Sequence, residues 1–167
     1  MKETFFEIKN STFIASKNNK VVDFNLTIEK QGEIICLLGP SGVGKTTILR
    51  SIAGLQKIDC GEIMLKGKLI SSNNSHVEPE KRNIALSFQD NSLFPHYNVI
   101  DNINFGSKRN LNSKFDLNST ELINILHLND LESKFPHQIS AGEAQRVSLA
   151  RSLMSKPDLL LVDEPFS

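Results

Sequence analysis

Residues 34–55 read IICLLGPSGVGKTTILRSIAGL. A short apolar run, a glycine-rich loop and an amphipathic stretch follow one another, an order that predicts strand, loop and helix. Ile48, Ile52 and Leu55 recur at i, i+4 and i+7 and so share one helix face. The loop between, GPSGVGKT from Gly39 to Thr46, satisfies G-x-x-x-x-G-K-[ST]. Gly39, Gly42 and Gly44 let the backbone curl, so that Gly39, Pro40, Ser41, Gly42, Val43 and Gly44 form a cradle whose N–H groups face phosphate oxygens. Lys45 neutralises the outer phosphates. Thr46 offers its hydroxyl to magnesium, and Thr47 a further hydrogen bond.

Outward from this loop the chain shows two kinds of strand. FFEIKN, VVDFNLTIE and GEIMLKGKLI carry β-branched and aromatic residues in partial alternation, the mark of half-buried strands. IICLLG, NIALSF and LLLV are short continuous apolar runs, as in a parallel sheet covered on both faces. Polar connectors, SSNNSHVEPEKRN and SKRNLNSKFDLNS, read as surface loops. Asn98 is the expected cap of a helix over NVIDNINF, and Asn118 with Glu121 that of another, with Leu122, Ile125 and Leu126 on its inner face. The expected organisation is one α/β domain over 1–167, a P-loop NTPase core with a parallel sheet, an N-terminal antiparallel β-subdomain and a helical insert. It divides into a β-subdomain with the loop core at 1–90, helices at 91–150 and a last strand at 151–167.

The loop motif leaves kinases, GTPases, helicases and transport ATPases open. LLLVDEPFS, at 159–167, narrows them. An apolar strand ending in Asp delivers a carboxylate to the metal, so Asp163 takes magnesium and Glu164 is left to abstract a proton from water. In isolation such an acidic pair is equally a surface turn or a helix cap. ISAGEAQRVSLARSL adds a capping box, Ser140 with Glu143, and an inner face of Val147, Ala150 and Met154. A capped helix start rich in small residues is also an anion site, where Ser140 and Gly142 present donors to a terminal phosphate.

Lys plus Arg number 19 and Asp plus Glu 19, so no basic excess marks a nucleic-acid partner. Cys36 and Cys60 form no Cys-x-x-Cys pair, which fits a reducing compartment without disulfide or zinc framework. His76, His96, His127 and His137 are too scattered for a metal-ligand pattern. No apolar stretch approaches the roughly 20 residues of a membrane helix, and MKETFFEIKN has no signal-peptide core.

Walker A GPSGVGKT, a glutamine loop SFQDNSLFPHYNV, a signature ISAGEAQRV and Walker B LLLVDEPFS occur in one order. In that order the chain resembles the nucleotide-binding subunit of an ATP-binding-cassette transporter, and LFPH with DEPFS is similar to importers of metal, polyamine, anion or vitamin. The resemblance implies ATP and Mg2+ as ligands and hydrolysis coupled to uptake. Gln89 then senses the γ-phosphate and magnesium, and Glu164 is the general base. ATP lies between two subunits set head to tail, in a homodimer or pseudo-dimer, with Ser140 and Gly142 facing nucleotide held by the other subunit's Lys45. Transmembrane permease subunits, gripped around Phe94, Tyr97 and Val99, and a solute-binding protein are the implied partners, at the cytoplasmic face of the membrane. The alternatives are a soluble cassette ATPase of DNA repair or translation, a nucleotide-binding module without turnover, and a P-loop kinase, which leaves Gln89 and Ser140 unexplained.

The resemblance also marks departures. The family signature is Leu-Ser-Gly-Gly-Gln. Here Ala141 adds a methyl and Glu143 a negative charge, both expected to weaken closure across the dimer, whereas Ile139 changes little. Phe13 is the nearest candidate for stacking on adenine, although core packing is its expected role. Relatives continue past DEPFS with further strands and a switch histidine, so the chain reads as a truncated subunit that binds nucleotide and turns it over poorly.

Overall fold

The computed structural model describes residues 4–16, 19–87, 93–109 and 118–163. The chain divides into two compact units, Met1–Asn83 and Ile84–Ser167.

In the first unit, strands β1 (Phe6–Ser16), β2 (Asn19–Ile28), β3 (Cys60–Leu65) and β4 (Lys68–Ser72) form an antiparallel sheet in the order β2-β1-β3-β4. The strands expected from FFEIKN, VVDFNLTIE and GEIMLKGKLI are all present, the last as the hairpin β3–β4. Strand β1 buries Phe6 and Ile8 in simple alternation. Its register then shifts between Ile8 and Ser11, with Asn10 at φ 44°, so that Ser11, Thr12 and Phe13 are buried in succession. A bulge re-aims the side chains that follow it. The Ser11 hydroxyl donates to the Lys9 and Glu62 carbonyls at 3.1 and 3.3 Å, which settles its burial. Phe13 has no exposed surface and meets Phe24 edge-on at 6.0 Å, so it is core, as expected.

Helix α1 (Lys45–Ala53) packs against β1 and buries Ile48 and Ile52. Leu55 lies past the helix end and is 51 % exposed, so the expected apolar face is one residue shorter. Gly54, at φ 86°, ends the helix. Its N–H donates to the Ser51 carbonyl and that of Leu55 to the Arg50 carbonyl, a left-handed C-terminal turn that glycine adopts at no steric cost.

The expected strand over IICLLG does not form. Residues 33–40 carry no ladder, and Ile34 and Leu38 are each 91 % exposed. An apolar run becomes a buried strand only where a neighbour pairs its N–H and C=O groups and a layer covers its face. Among the described residues none of the six strands pairs with it. The strand-loop-helix unit is therefore an extended segment, a loop and a helix.

The second unit holds a parallel pair, β5 (Ile84–Ser87) and β6 (Leu159–Val162), registered Ile84 to Leu159 and Ser87 to Val162. NIALSF and LLLV thus meet as expected. Helices α2 (Val99–Phe105), α3 (Ser119–Ile125) and α4 (Ala141–Met154) enclose a core of Val99, Ile103, Leu122, Ile123, Leu128, Val147 and Ala150 among others. All three have the caps expected of them. Asn98 Oδ1 accepts from Asp101 N at 2.8 Å, and Asn118 with Glu121 and Ser140 with Glu143 complete reciprocal boxes. In α3 the inner position belongs to Ile123, while Ile125 is 66 % exposed. Ile123 and Ile125 are two residues apart and so point to nearly opposite sides of the helix, and only one of them can join the core.

Candidate functional site

The glycine-rich loop expected to cradle phosphates lies wholly in the first unit. Gly42 has φ 77° and Gly44 φ 111°, conformations open to glycine and strained for other residues. Val43 N donates to Pro40 O at 3.4 Å and closes the turn. Gly44 is the N-cap of α1, and no side chain caps this end. The first-turn N–H groups of a helix have no partner within the helix, and the macrodipole places positive potential there. A Cβ at Gly44 would lie 2.6 Å from Val21 Cγ2, so the β1–β2 hairpin presses directly on the loop. Asn19, at the start of β2, donates through Nδ2 to Gly42 O at 2.6 Å. Lys45 Nζ turns back onto the Gly39 and Pro40 carbonyls at 2.8 and 2.9 Å, which bends Gly39–Lys45 into a ring. Thr46 and Thr47 occupy the first turn and are half-buried.

Thus Gly39, Pro40, Ser41, Gly42, Val43, Gly44, Lys45, Thr46 and Thr47 lie along one closed turn and the first turn of the helix that follows it. The segment carries backbone N–H groups, an ammonium and hydroxyls with no carboxylate among these residues; this donor set fits a polyphosphate and an oxygen-loving divalent cation. Sequence reasoning missed Asn19 and Val21. Both buttress the loop from a distant strand, and nothing in their local sequence signals it.

Ser140, Gly142 and Asp163 belong to the second unit. Ser140 N and Oγ donate to Glu143 Oε2 at 2.7 and 2.8 Å, and Glu143 N returns a bond to Ser140 Oγ at 3.3 Å. The Ser140 backbone N–H, then its hydroxyl, hold the Glu143 carboxyl below the usual carboxylate range, with Lys134 and Arg146 adding to this and partial burial opposing it. At Gly142 a Cβ would meet nothing within 4 Å, so the chain's own packing does not call for glycine. Asp163 directly follows β6, and its N–H donates to Ser87 O at 3.1 Å. Gln89 and Glu164 lie outside the described residues, as do 88–92 and 164–167 generally. No group of three His, Cys, Asp or Glu among the described residues is arranged to hold a metal ion.

The segment 94–98 presents Phe94 and Tyr97, ring centroids 5.6 Å apart, beside Phe105 at 4.5 Å from Phe94. The Arg151 guanidinium lies 5.1 Å over the Phe94 ring. Val99 is 1 % exposed and part of the helical core, so of the three residues expected to grip a partner it is unavailable. Asn102, with no exposed surface, ties this segment down by accepting from Phe94 N and donating to the Phe94, Tyr97 and Asn98 carbonyls.

An antiparallel β-layer carrying a glycine cradle, together with a parallel pair ending in aspartate and a capped helix, defines an α/β P-loop nucleotide-binding cassette. The family model described as ABC transporter matches residues 21–167, and the chain belongs to that family. It is 39 % identical over 162 residues to the Fe(3+) ions import ATP-binding protein of Haemophilus influenzae (strain 86-028NP), covering 96 % of this chain and 46 % of that protein. It is 44 % identical over 161 residues to the putrescine transport ATP-binding protein of Escherichia coli (strain K12), covering 95 % and 41 %. The chain therefore spans less than half the length of these relatives. Among solved structures it is similar to an ATP-binding cassette captured as a dimer in a post-hydrolysis state with ADP and Pi, with TM-score 0.77 and 26 % identity over 96 % of this chain and 74 % of that one. No helix among the described residues is long and apolar enough to cross a membrane.

Proposed function

We propose that this chain is the ATP-binding and hydrolysing subunit of a solute importer, working as a head-to-tail dimer on the cytoplasmic face of a membrane. The observation that carries this reading is the ring closed by Lys45 on Gly39 and Pro40 at the uncapped start of α1, a preformed seat for the phosphates of ATP. Gly39 to Thr47 bind the phosphates. Mg2+, bound by Thr46, Asp163 and Gln89, would supply charge neutralisation on the β- and γ-phosphates. Glu164 takes the proton of the attacking water. Ser140 and Gly142 face the nucleotide of the second subunit, and the glycine at 142, unexplained by this chain's own packing, supports a surface that another molecule approaches closely.

The importer-type relatives support permease subunits as partners, and a solute-binding protein is proposed beside them. The half-buried rings of Phe94 and Tyr97, beside exposed Phe105, are the proposed permease contact. Co-expression with the permease and affinity purification of this chain tests the assignment. The expected result is a co-purified membrane subunit and ATPase activity that rises with it and is lost on Glu164→Gln. ATP turnover at the same rate with and without the permease would instead favour a soluble ATPase.

A further inference from the structure

At the opposite end of α1 from the cradle, Arg82 is 2 % exposed, and every direction of its guanidinium is used. Nη1 donates to the Ser51 and Ile52 carbonyls at 3.0 and 2.8 Å, two of the last four of α1. Nη2 donates to Ile70 O and Ser71 Oγ on β4 at 2.9 and 2.7 Å, and Nε to Val77 O at 2.7 Å. Gly54 leaves room for it, since a Cβ there would lie 2.6 Å from Arg82 Nε. His76 completes the ring of contacts, with Nε2 at 3.0 Å from Gly54 O and Nδ1 at 3.4 Å from Arg82 Nη2.

A buried arginine is costly unless its donors are matched. Here all its partners are oxygens or a ring nitrogen of the helix end, the sheet edge and the intervening loop. Burial holds its pKa down to about 10, against the opposing charge of Glu78, so the group is cationic at neutral pH. A cation is the favourable charge at a helix C-terminus, where the last carbonyls are otherwise unpaired. Only a planar fork reaches the helix, β4 and the loop together; an ammonium is a point donor.

We propose that Arg82 is a positioning residue for the phosphate cradle: from the far end of α1 it locks the helix to β4 and the 76–77 loop, so that the N–H groups at Gly44–Thr47 are oriented before nucleotide arrives. The proposal rests on the nucleotide-binding reading above. The helix is about 13 Å long, so a small swing at a released C-terminus shifts the donors at its start.

The test compares the full chain with Arg82→Lys, which keeps charge and stem and loses the fork, and Arg82→Gln. Thermal melting and Mg-ATP affinity by calorimetry are measured well below each melting point, where all protein is folded. Folded Arg82→Lys is expected to bind Mg-ATP about tenfold more weakly, a loss that a purely structural residue would not produce in the folded fraction. Hydrogen exchange on the wild-type chain supplies a readout without mutation: saturating Mg-ATP is expected to slow exchange in 51–55 and 70–77, remote from the phosphates, by a few-fold. Equal affinity in folded Arg82→Lys overturns the proposal, as does unchanged exchange in those segments should the variants fail to fold. Absence of Mg-ATP binding by the wild type overturns the nucleotide reading itself, and the clamp with it.

Discussion

Gly44→Ala strikes the cradle at its most constrained point. Two costs add. At φ 111° an alanine is strained, about 1–3 kcal/mol for a residue held in a sparsely populated region. Its Cβ would also sit 2.6 Å from Val21 Cγ2, an overpacking worth about 1–3 kcal/mol once the hairpin gives way. The sum, about 2–6 kcal/mol, is a large share of the stability of a domain this size. Urea denaturation followed by circular dichroism, with Val21→Ala and the double variant completing a cycle, separates the two costs. Val21→Ala removes the clash and leaves the backbone strain, so the double variant is expected to recover roughly half of the loss, with a coupling of about 1–3 kcal/mol. A Gly44→Ala chain as stable as wild type, or purely additive substitutions, would refute the contact between hairpin and loop.

Gly142→Ala should act in the opposite sense. The position is in a helix and open to solvent, so the chain should gain about 0.5–1 kcal/mol by the same denaturation assay, while ATP-dependent dimerisation, followed by sedimentation, should weaken. Glu143→Gln tests the signature cap through pH. Because the fold lowers the Glu143 pKa, the unfolded chain binds more protons in that window, and the carboxylate's contribution is full above the ordinary carboxylate range and lost as pH falls through the lowered value. Melting temperatures of wild type and variant should therefore differ at neutral pH and converge on acidification; a constant difference would refute the charged cap.

What could be read from sequence and what could not separate by the range of the interaction involved. The caps at Asn98, Asn118 and Ser140 were legible because both partners lie within one helical turn. The turn at Gly42 and Gly44 was legible because closely spaced glycines mark backbone that other residues adopt only under strain. Ile34 and Leu38 were misread because a local apolar run reports only that burial is wanted, whereas a strand also needs a partner ladder. The bulge at Asn10, the inner position of Ile123, and the roles of Asn19, Val21 and Arg82 depend on registers set between distant elements, which composition and periodicity do not encode.

The central claim is that Lys45 and its glycine ring hold the phosphates of a nucleotide. Calorimetric titration of the full chain and of Lys45→Ala with Mg-ATP tests it most directly. The side chain is half-buried and bonded only to two carbonyls of its own loop, so its removal should cost about 1 kcal/mol in stability and the variant remains folded. The account predicts saturable one-site binding by the wild type and a loss of at least about tenfold in the variant. Equal affinity in both chains, or no binding heat from the folded wild type, would contradict it.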